Sequence, residues 1–157
     1  RLKGRDAGKP LPVVAADLDM VKEIAGRLPP AFRVLAGEFW PGPLTLVLPA
    51  SGRLPEFLQG PGRTIAVRVP PPAWLRRVVR DIAQPLTATS ANLAGQGELS
   101  DPAAVEALFG GKVDLVVDGG PAPGGAPSTI VDLTSAEPRI LREGAVSAAR
   151  LRAVLGG

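Results

Sequence analysis

The chain has 157 residues, of which 45% are hydrophobic, and a formal net charge of +3 at pH 7. This length and hydrophobic fraction predict one domain with a single core over residues 1–157. Cysteine and histidine are both absent, which excludes disulfide bonds, cysteine nucleophiles, Ser-His-Asp triads and the usual zinc sites.

No apolar segment approaches the roughly twenty residues that a membrane-spanning helix needs. The first residues are basic and lack the apolar core of a signal peptide. We therefore expect no membrane partner and a cytoplasmic location. The excess of basic residues favours a polyanionic partner only mildly, and the scarcity of aromatic residues, 4% of the chain, argues against a surface that stacks single-stranded bases.

Strand-like and helix-like segments alternate along the chain, which predicts an α/β sandwich. Apolar runs predict strands within residues 11–15, 44–48, 63–69, 85–88, 113–118, 129–133 and 139–141. Helical spacing and capping residues predict helices after Asp17 as far as residue 28, over 31–37, over 73–83, after Asp101 and after Ser147. Glycine and proline dominate residues 119–125, which predicts an irregular loop.

Small polar residues follow the apolar run at 85–88. Ser90 and Asn92 form a Ser-x-Asn tripeptide, and glycines follow at Gly95 and Gly97. A buried strand that ends in hydroxyl and amide side chains is typical of a ligand site at the edge of an α/β sheet. The same tripeptide is also a common turn or helix-cap pattern, so the residues alone leave both interpretations open.

Cationic residues cluster at the start of the chain, at Lys3, Arg5 and Lys9. Three cations at a sheet edge can neutralise a triphosphate or a carboxylate, although lysine and arginine are most often simply exposed to solvent. Arg68 lies in an otherwise apolar strand, where a cation needs a partner, or else it lies on an outer face. Ser128 opens a strand after the glycine-rich loop, and Arg142 either pairs with Glu143 or reaches a phosphate.

Taken in order, these segments resemble the YrdC family, the threonylcarbamoyl-AMP synthases of tRNA modification. The resemblance runs from the first residue to the last predicted helix. The matching segments are Leu2-Lys3-Gly4-Arg5 with Lys9-Pro10-Leu11, Phe39-Trp40-Pro41-Gly42-Pro43-Leu44-Thr45, Ala66-Val67-Arg68-Val69-Pro70, Ser90-Ala91-Asn92, Pro127-Ser128-Thr129-Ile130-Val131-Asp132 and Leu141-Arg142-Glu143-Gly144.

The resemblance implies a single-domain, twisted, open mixed sheet flanked by helices, the YrdC-like (DHBP synthase-like) fold, with a basic concave cavity. It implies conversion of ATP, L-threonine and bicarbonate to L-threonylcarbamoyl-AMP and pyrophosphate. The tRNA threonylcarbamoyl-transfer machinery would then modify adenosine 37 of tRNAs that read codons starting with A. Such family members are nucleotidyltransferases, with tRNA and the transfer proteins as partners.

Positions that match the family's motifs take their expected roles from the resemblance. Lys3 and Arg5 match a Lys-x-Arg pair that binds nucleotide phosphates and the anionic intermediate, and with Ser90 and Asn92 they form the expected catalytic set. The ATP-binding positions are Arg5, Lys9, Thr64, Ser90 and Arg142, and the threonine-binding positions are Arg68, Ala88 and Ser128. No protein metal site is expected, and Mg²⁺ is expected to be held by the nucleotide.

The family pattern normally opens with a strand, a threonine-rich loop and a helix before Lys-x-Arg, whereas this chain starts inside that pattern. Part of the threonine pocket is therefore expected to lie outside the sequence. Two other functions remain as alternatives: a protein that binds double-stranded RNA or tRNA without catalysis in ribosome maturation, and a related carbamoyl-adenylate enzyme with another substrate. Intact Lys-x-Arg and Ser-x-Asn pairs favour an enzyme.

Overall fold

The computed structural model describes residues 11–156. Within that range the chain divides into two compact units, one formed by residues 11–88 and 126–156 and the other by residues 89–125. All the strands of the sheet belong to the first unit. The organisation of residues 1–157 as one domain stays a prediction.

The described residues form one six-stranded sheet and five α-helices. The strands are β1 (Val13–Val14), β2 (Leu44–Pro49), β3 (Thr64–Arg68), β4 (Leu86–Thr87), β5 (Thr129–Asp132) and β6 (Arg139–Arg142). The helices are α1 (Leu18–Ile24), α2 (Pro30–Phe39), α3 (Ala73–Ile82), α4 (Pro102–Phe109) and α5 (Ala148–Leu155). A 3₁₀ turn covers Glu56–Leu58.

The sheet has the strand order β4-β1-β3-β2-β5-β6. β1 pairs with β3 and β2 pairs with β5 in parallel, while the other neighbours are antiparallel. The predicted open mixed sheet flanked by helices is therefore confirmed.

Alternation along the strands divides the sheet into two faces. Leu44, Leu46 and Leu48 of β2, with Ile65 and Val67 of β3, enter the main core, where none exceeds 2% exposure. Side chains from α1, α2 and α5 cover that face. On the opposite face, Val79 of α3 packs against Val14 and Ala16, and the half-buried Ala88 joins this smaller cluster.

The predicted helix starts are confirmed by their caps. The side chains of Asp17, Asp101 and Ser147 accept hydrogen bonds from the amides of Met20, Ala103 and Arg150, respectively, at 3.1, 3.1 and 3.3 Å. Each bond satisfies an amide that the first helical turn leaves without an intrahelical partner. The proline-rich corner at Trp40 is packed against the core, because its indole donates to the Leu44 carbonyl at 2.6 Å and its ring meets Phe32 edge-on.

The predicted strand over residues 113–118 is wrong. That segment has no regular structure, and Leu115 and Val117 are 76% and 60% exposed. A strand needs a neighbour for its amides and carbonyls, and no strand of the described residues pairs with this segment. Apolar composition alone therefore does not produce the strand.

The helix after Asp17 ends earlier than its apolar spacing predicts. α1 stops at Ile24 because Ala25 forms a β-bridge with Ala50 and the Gly26 amide donates to the Pro49 carbonyl at 2.8 Å. The end of α1 is thus set by tertiary pairing rather than by the local pattern. On α3, Val79 is fully buried, while Val78 and Ile82 remain exposed.

None of the described helices is long and apolar enough to cross a lipid bilayer.

Asp132 ends β5 as a nearly buried carboxylate. Its Oδ1 accepts the Thr134 amide at 2.9 Å and the Thr134 hydroxyl at 2.7 Å, and its Oδ2 accepts Arg139 Nη2 at 2.9 Å. Burial raises the pKa of this carboxyl, but the Thr134 hydrogen bonds and the Arg139 charge outweigh that effect. The pKa therefore lies below its ordinary value of 3.8.

Asp132→Asn is expected to lower the free energy of unfolding by about 1–2 kcal/mol at pH 7. Because the folded state depresses the pKa of Asp132, the carboxylate stabilises the fold above the unfolded pKa, and this stability is lost as the pH falls through the folded pKa. The difference from the wild type should therefore shrink below about pH 4. Urea unfolding at several pH values measures this difference in the free energy of unfolding, and Asp19→Asn, at an exposed carboxylate, is the control. A difference that does not change with pH would contradict the lowered pKa of Asp132.

Candidate functional site

Polar residues of β2 and β3 lie on the face of the sheet opposite the main core. In β2 and β3, Thr45 and Arg68 alternate with the buried Leu46 and Val67, so both lie on the face opposite the main core. The antiparallel register pairs Leu46 with Val67, and one further residue brings Thr45 opposite Arg68. Neighbouring strands are about 5 Å apart, which makes Thr45 and Arg68 close neighbours.

Thr45, Ser128 and Arg142 are joined by direct contacts on this face. The Thr45 and Ser128 hydroxyls are 2.9 Å apart. Arg142 Nη2 lies 2.7 Å from the Ser128 carbonyl and 3.2 Å from its hydroxyl, and Nε donates to the same carbonyl at 3.2 Å. The guanidinium edge formed by Nε and Nη2 is therefore turned toward Ser128, and among residues 11–156 no hydrogen bond is recorded for Nη1, which leaves it for an anionic ligand.

Arg68 is half-buried in the middle of the sheet. Burial lowers the pKa of its guanidinium below the ordinary value. Within residues 11–156, no carboxylate forms an ion pair with it. A partly desolvated cation with no counter-charge is costly in isolation and favours binding of an anionic group.

Arg68 and Arg142 lie three strands apart in one row of paired residues. β5 pairs Ile130 with Thr45 of β2 on one side and with Arg142 of β6 on the other. Three strand spacings, about 14 Å, therefore separate the backbones of Arg68 and Arg142, and the Thr45–Ser128 hydroxyl pair lies between them. This arrangement suits a ligand with two separate anionic groups.

The segment that follows β6 is bonded to the start of β5, beside Ser128 and Arg142. The buried Thr129 hydroxyl donates to the Val146 carbonyl at 2.6 Å and accepts the amides of Gly144 and Val146 at 2.9 and 3.0 Å. The Ala145 amide also donates to the Pro127 carbonyl at 2.9 Å. These bonds attach the segment after β6 both to Thr129, the first residue of β5, and to Pro127, which precedes the strand.

Ala88 lies on the side of the row next to Arg68, whereas Thr64 lies away from it. Ala88 packs against the small cluster that contains Val14, the residue of β1 that pairs with Arg68, so it forms an apolar wall on that side. Thr64 begins β3, four residues from Arg68, and its hydroxyl donates to the Pro61 carbonyl at 3.1 Å. About 13 Å of strand separates it from Arg68, so the structure does not group Thr64 with the other candidates.

Ser90 and Asn92 belong to the unit of residues 89–125. The Ser90 hydroxyl donates to Asn92 Oδ1 at 2.5 Å, and Asn92 Nδ2 donates to the Gln96 carbonyl at 2.6 Å. The two side chains are therefore neighbours in a local turn, and both are half-buried. This finding supports the turn interpretation of Ser-x-Asn and leaves a ligand role as a prediction.

Lys3, Arg5 and Lys9 lie outside the described residues. In the part of the chain that is described, no group of three acidic side chains could hold a metal ion. A cleft of about 390 Å³ opens elsewhere, where Pro30 and Val34 of α2 face Leu133, Ala136 and Leu155. None of the predicted site residues lines that cleft.

Thr45 is the site residue to which the sequence assigns no role. It stands inside the segment Phe39-Trp40-Pro41-Gly42-Pro43-Leu44-Thr45, yet it looks like an ordinary strand residue there. Its partner Ser128 is 83 residues away in the chain. A polar residue in a strand of buried leucines is the signal that could have identified it.

The Sua5/YciO/YrdC family model, described as "Telomere recombination", matches residues 1–144. Threonylcarbamoyl-AMP synthases are similar throughout: that of Pyrococcus abyssi is 36% identical over 98% of this chain and 45% of its own length. That of Thiobacillus denitrificans is 39% identical over 90% of this chain and 74% of its own length. The chain thus spans less than half of the Pyrococcus relative.

Solved structures agree with these matches. The crystal structure of P. abyssi Sua5 complexed with L-threonine superposes with a TM-score of 0.92 at 35% identity, covering 99% of this chain and 46% of that one. E. coli YciO superposes with a TM-score of 0.84 at 27% identity, covering 96% of this chain and 73% of that one. With the family model matched over most of its length, the chain belongs to the Sua5/YciO/YrdC family.

Proposed function

We propose that this chain carries the threonylcarbamoyl-AMP synthase reaction, in which ATP, L-threonine and bicarbonate give L-threonylcarbamoyl-AMP and pyrophosphate. The observation that carries the proposal is the row of Arg68, the Thr45–Ser128 hydroxyl pair and Arg142 on one sheet face. Relatives named threonylcarbamoyl-AMP synthase and the threonine complex of a similar structure support it.

The chemistry proceeds in two balanced steps. The threonine amine attacks bicarbonate, and loss of water leaves a carbamate on the amine nitrogen. A carbamate oxygen then attacks the α-phosphorus of ATP, and the bond to the β-phosphate oxygen breaks to release pyrophosphate. Both steps depend on charge neutralisation and alignment rather than on a covalent protein intermediate, which fits a chain without cysteine or histidine.

We assign the residues to these steps by charge. Arg68 binds the threonine carboxylate, since a guanidinium matches a carboxylate in two parallel hydrogen bonds; Ser128 donates to the same amino acid and Ala88 provides an apolar wall. Arg142 turns Nη1 toward the nucleotide phosphates. The remaining proposed contacts to the nucleotide and intermediate come from Lys3, Arg5, Lys9, Thr64, Ser90 and Asn92.

Mg²⁺ is proposed to enter with the nucleotide. The described residues offer no acidic group of three, which fits an ion held by phosphate oxygens. The ion would offset phosphate charge during adenylyl transfer. We further propose that the product passes to the tRNA threonylcarbamoyl-transfer machinery for adenosine 37 of tRNAs reading codons that start with A, and that the compartment is the cytoplasm, where ATP and tRNA occur.

Pyrophosphate release by the full-length protein tests this function. We expect release from ATP that requires both L-threonine and bicarbonate. Release that does not depend on threonine would instead indicate a related enzyme with another substrate. No release, together with RNA binding that weakens steeply with salt, would indicate an RNA-binding protein and refute the synthase.

A further inference from the structure

The direction of the hydrogen bond between Thr45 and Ser128 follows from their burial. Thr45 is only 5% exposed, and within residues 11–156 the Ser128 hydroxyl is the one side-chain partner recorded for Thr45 Oγ1. If Ser128 donated to Thr45, the O–H of this largely buried threonine would have no acceptor among residues 11–156, which is strongly disfavoured. Thr45 therefore donates, and Ser128 accepts.

Arg142 occupies the second acceptor position of the same hydroxyl. A guanidinium has no acceptor atom, so the 3.2 Å contact from Arg142 Nη2 also makes Ser128 Oγ the acceptor. A serine hydroxyl has two lone pairs and one hydrogen. With both lone pairs engaged, the Ser128 hydrogen is left to donate to a group outside these contacts.

We propose that Thr45 is a positioning residue that commits the Ser128 hydroxyl to donating, and thereby makes this site select the carboxylate end of its amino-acid substrate. Donors then come from Ser128 and from Arg68, which lies on the same sheet face and offers only donors. A carboxylate accepts from both. A carboxamide, which carries an NH₂ donor, satisfies them less well. This inference rests on the proposed synthase function and concerns specificity within it.

The test compares Thr45→Val with Thr45→Ser in the full-length protein. Valine keeps the branched shape in the strand but removes the hydroxyl, and serine restores it. Thr45→Val removes one hydrogen bond to the Ser128 hydroxyl, which no longer has to donate to the substrate carboxylate. We therefore expect the KM for L-threonine to rise about tenfold in this variant. The KM for ATP should stay within about twofold of the wild-type value and kcat within about threefold, because Thr45 does not act on the nucleotide.

A structural role alone would not change the preference for a carboxylate. Wild-type protein and Thr45→Ser should prefer L-threonine over L-threoninamide strongly, whereas Thr45→Val should lose about tenfold of that preference. Thr87→Val, at an exposed threonine of β4, is the matched control and should behave like the wild type. Circular dichroism and thermal unfolding check that each variant is folded.

Two results separate the possible failures. If the wild type releases pyrophosphate with threonine dependence but Thr45→Val keeps the wild-type KM and the same preference over threoninamide, the role of Thr45 is refuted and the synthase function stands. A uniform loss with both substrates that Thr45→Ser does not rescue likewise refutes it. If the wild type itself shows no threonine dependence, the proposed function fails and the inference about Thr45 falls with it.

Discussion

Arg68→Ala is expected to lower kcat/KM for L-threonine by about a hundredfold or more, equivalent to ~2.7 kcal/mol. Arg68 is half-buried, burial lowers the pKa of its guanidinium, and among the described residues no carboxylate pairs with it. Its charge therefore remains for a bound anion. Alanine would leave the substrate carboxylate without that counter-charge in a partly desolvated site.

The fold should survive this change, because no ion pair within the described residues is lost. Steady-state kinetics with varied L-threonine gives the effect, and calorimetric titration of L-threonine measures binding without turnover. Arg68→Lys keeps the charge but loses the paired hydrogen bonds, so an intermediate loss is expected. Arg77→Ala, at an arginine that is 82% exposed on α3, is the control. Wild-type affinity for threonine in Arg68→Ala would contradict the site.

Gly144→Ala is expected to lower the free energy of unfolding by about 3 kcal/mol. A Cβ at Gly144 would lie well inside the van der Waals limit of the Pro127 carbonyl oxygen and only 2.9 Å from the Ser128 carbonyl carbon. Those atoms are backbone and cannot rotate away. The neighbouring amides are also engaged, Gly144 with the Thr129 hydroxyl and Ala145 with the Pro127 carbonyl, so relief requires breaking them.

Gly37→Ala provides the matched comparison. Gly37 lies within α2, and a Cβ there would meet no atom within 4 Å. Alanine in a helix is favoured over glycine by roughly 0.5–1 kcal/mol, so this variant should be neutral or more stable. Chemical unfolding of both variants measures the contrast. Equal stabilities would show that the segment after β6 can move away from β5, and the account of Arg142 placement would be wrong.

Local features of this fold could be predicted because their causes lie within a few residues. Asp17, Asp101 and Ser147 cap helices with bonds that span two or three residues. The apolar run of β2 forms a strand where its pattern predicts one. The neighbours Ser90 and Asn92 also contact each other through a bond between residues two apart, which a turn pattern contains by itself.

Features that depend on distant partners could not be predicted. The apolar segment over residues 113–118 forms no strand, because pairing requires another strand and not only suitable side chains. α1 ends at Ile24 because Ala25 pairs with Ala50, which its helical spacing does not reveal. For α1 the deciding residue lies far away in the sequence, and for residues 113–118 the described strands include no partner.

The sequence by itself determined which residue types serve this site: arginines, hydroxyls and amides in a chain without cysteine or histidine. It also carried the motifs of the family. Only the tertiary structure decided that the Thr45 and Ser128 hydroxyls meet across 83 residues, that Arg142 turns toward the same serine, and that Arg68 is partly buried near Thr45. Strand register is the physical reason, because it brings these side chains to one face of the sheet.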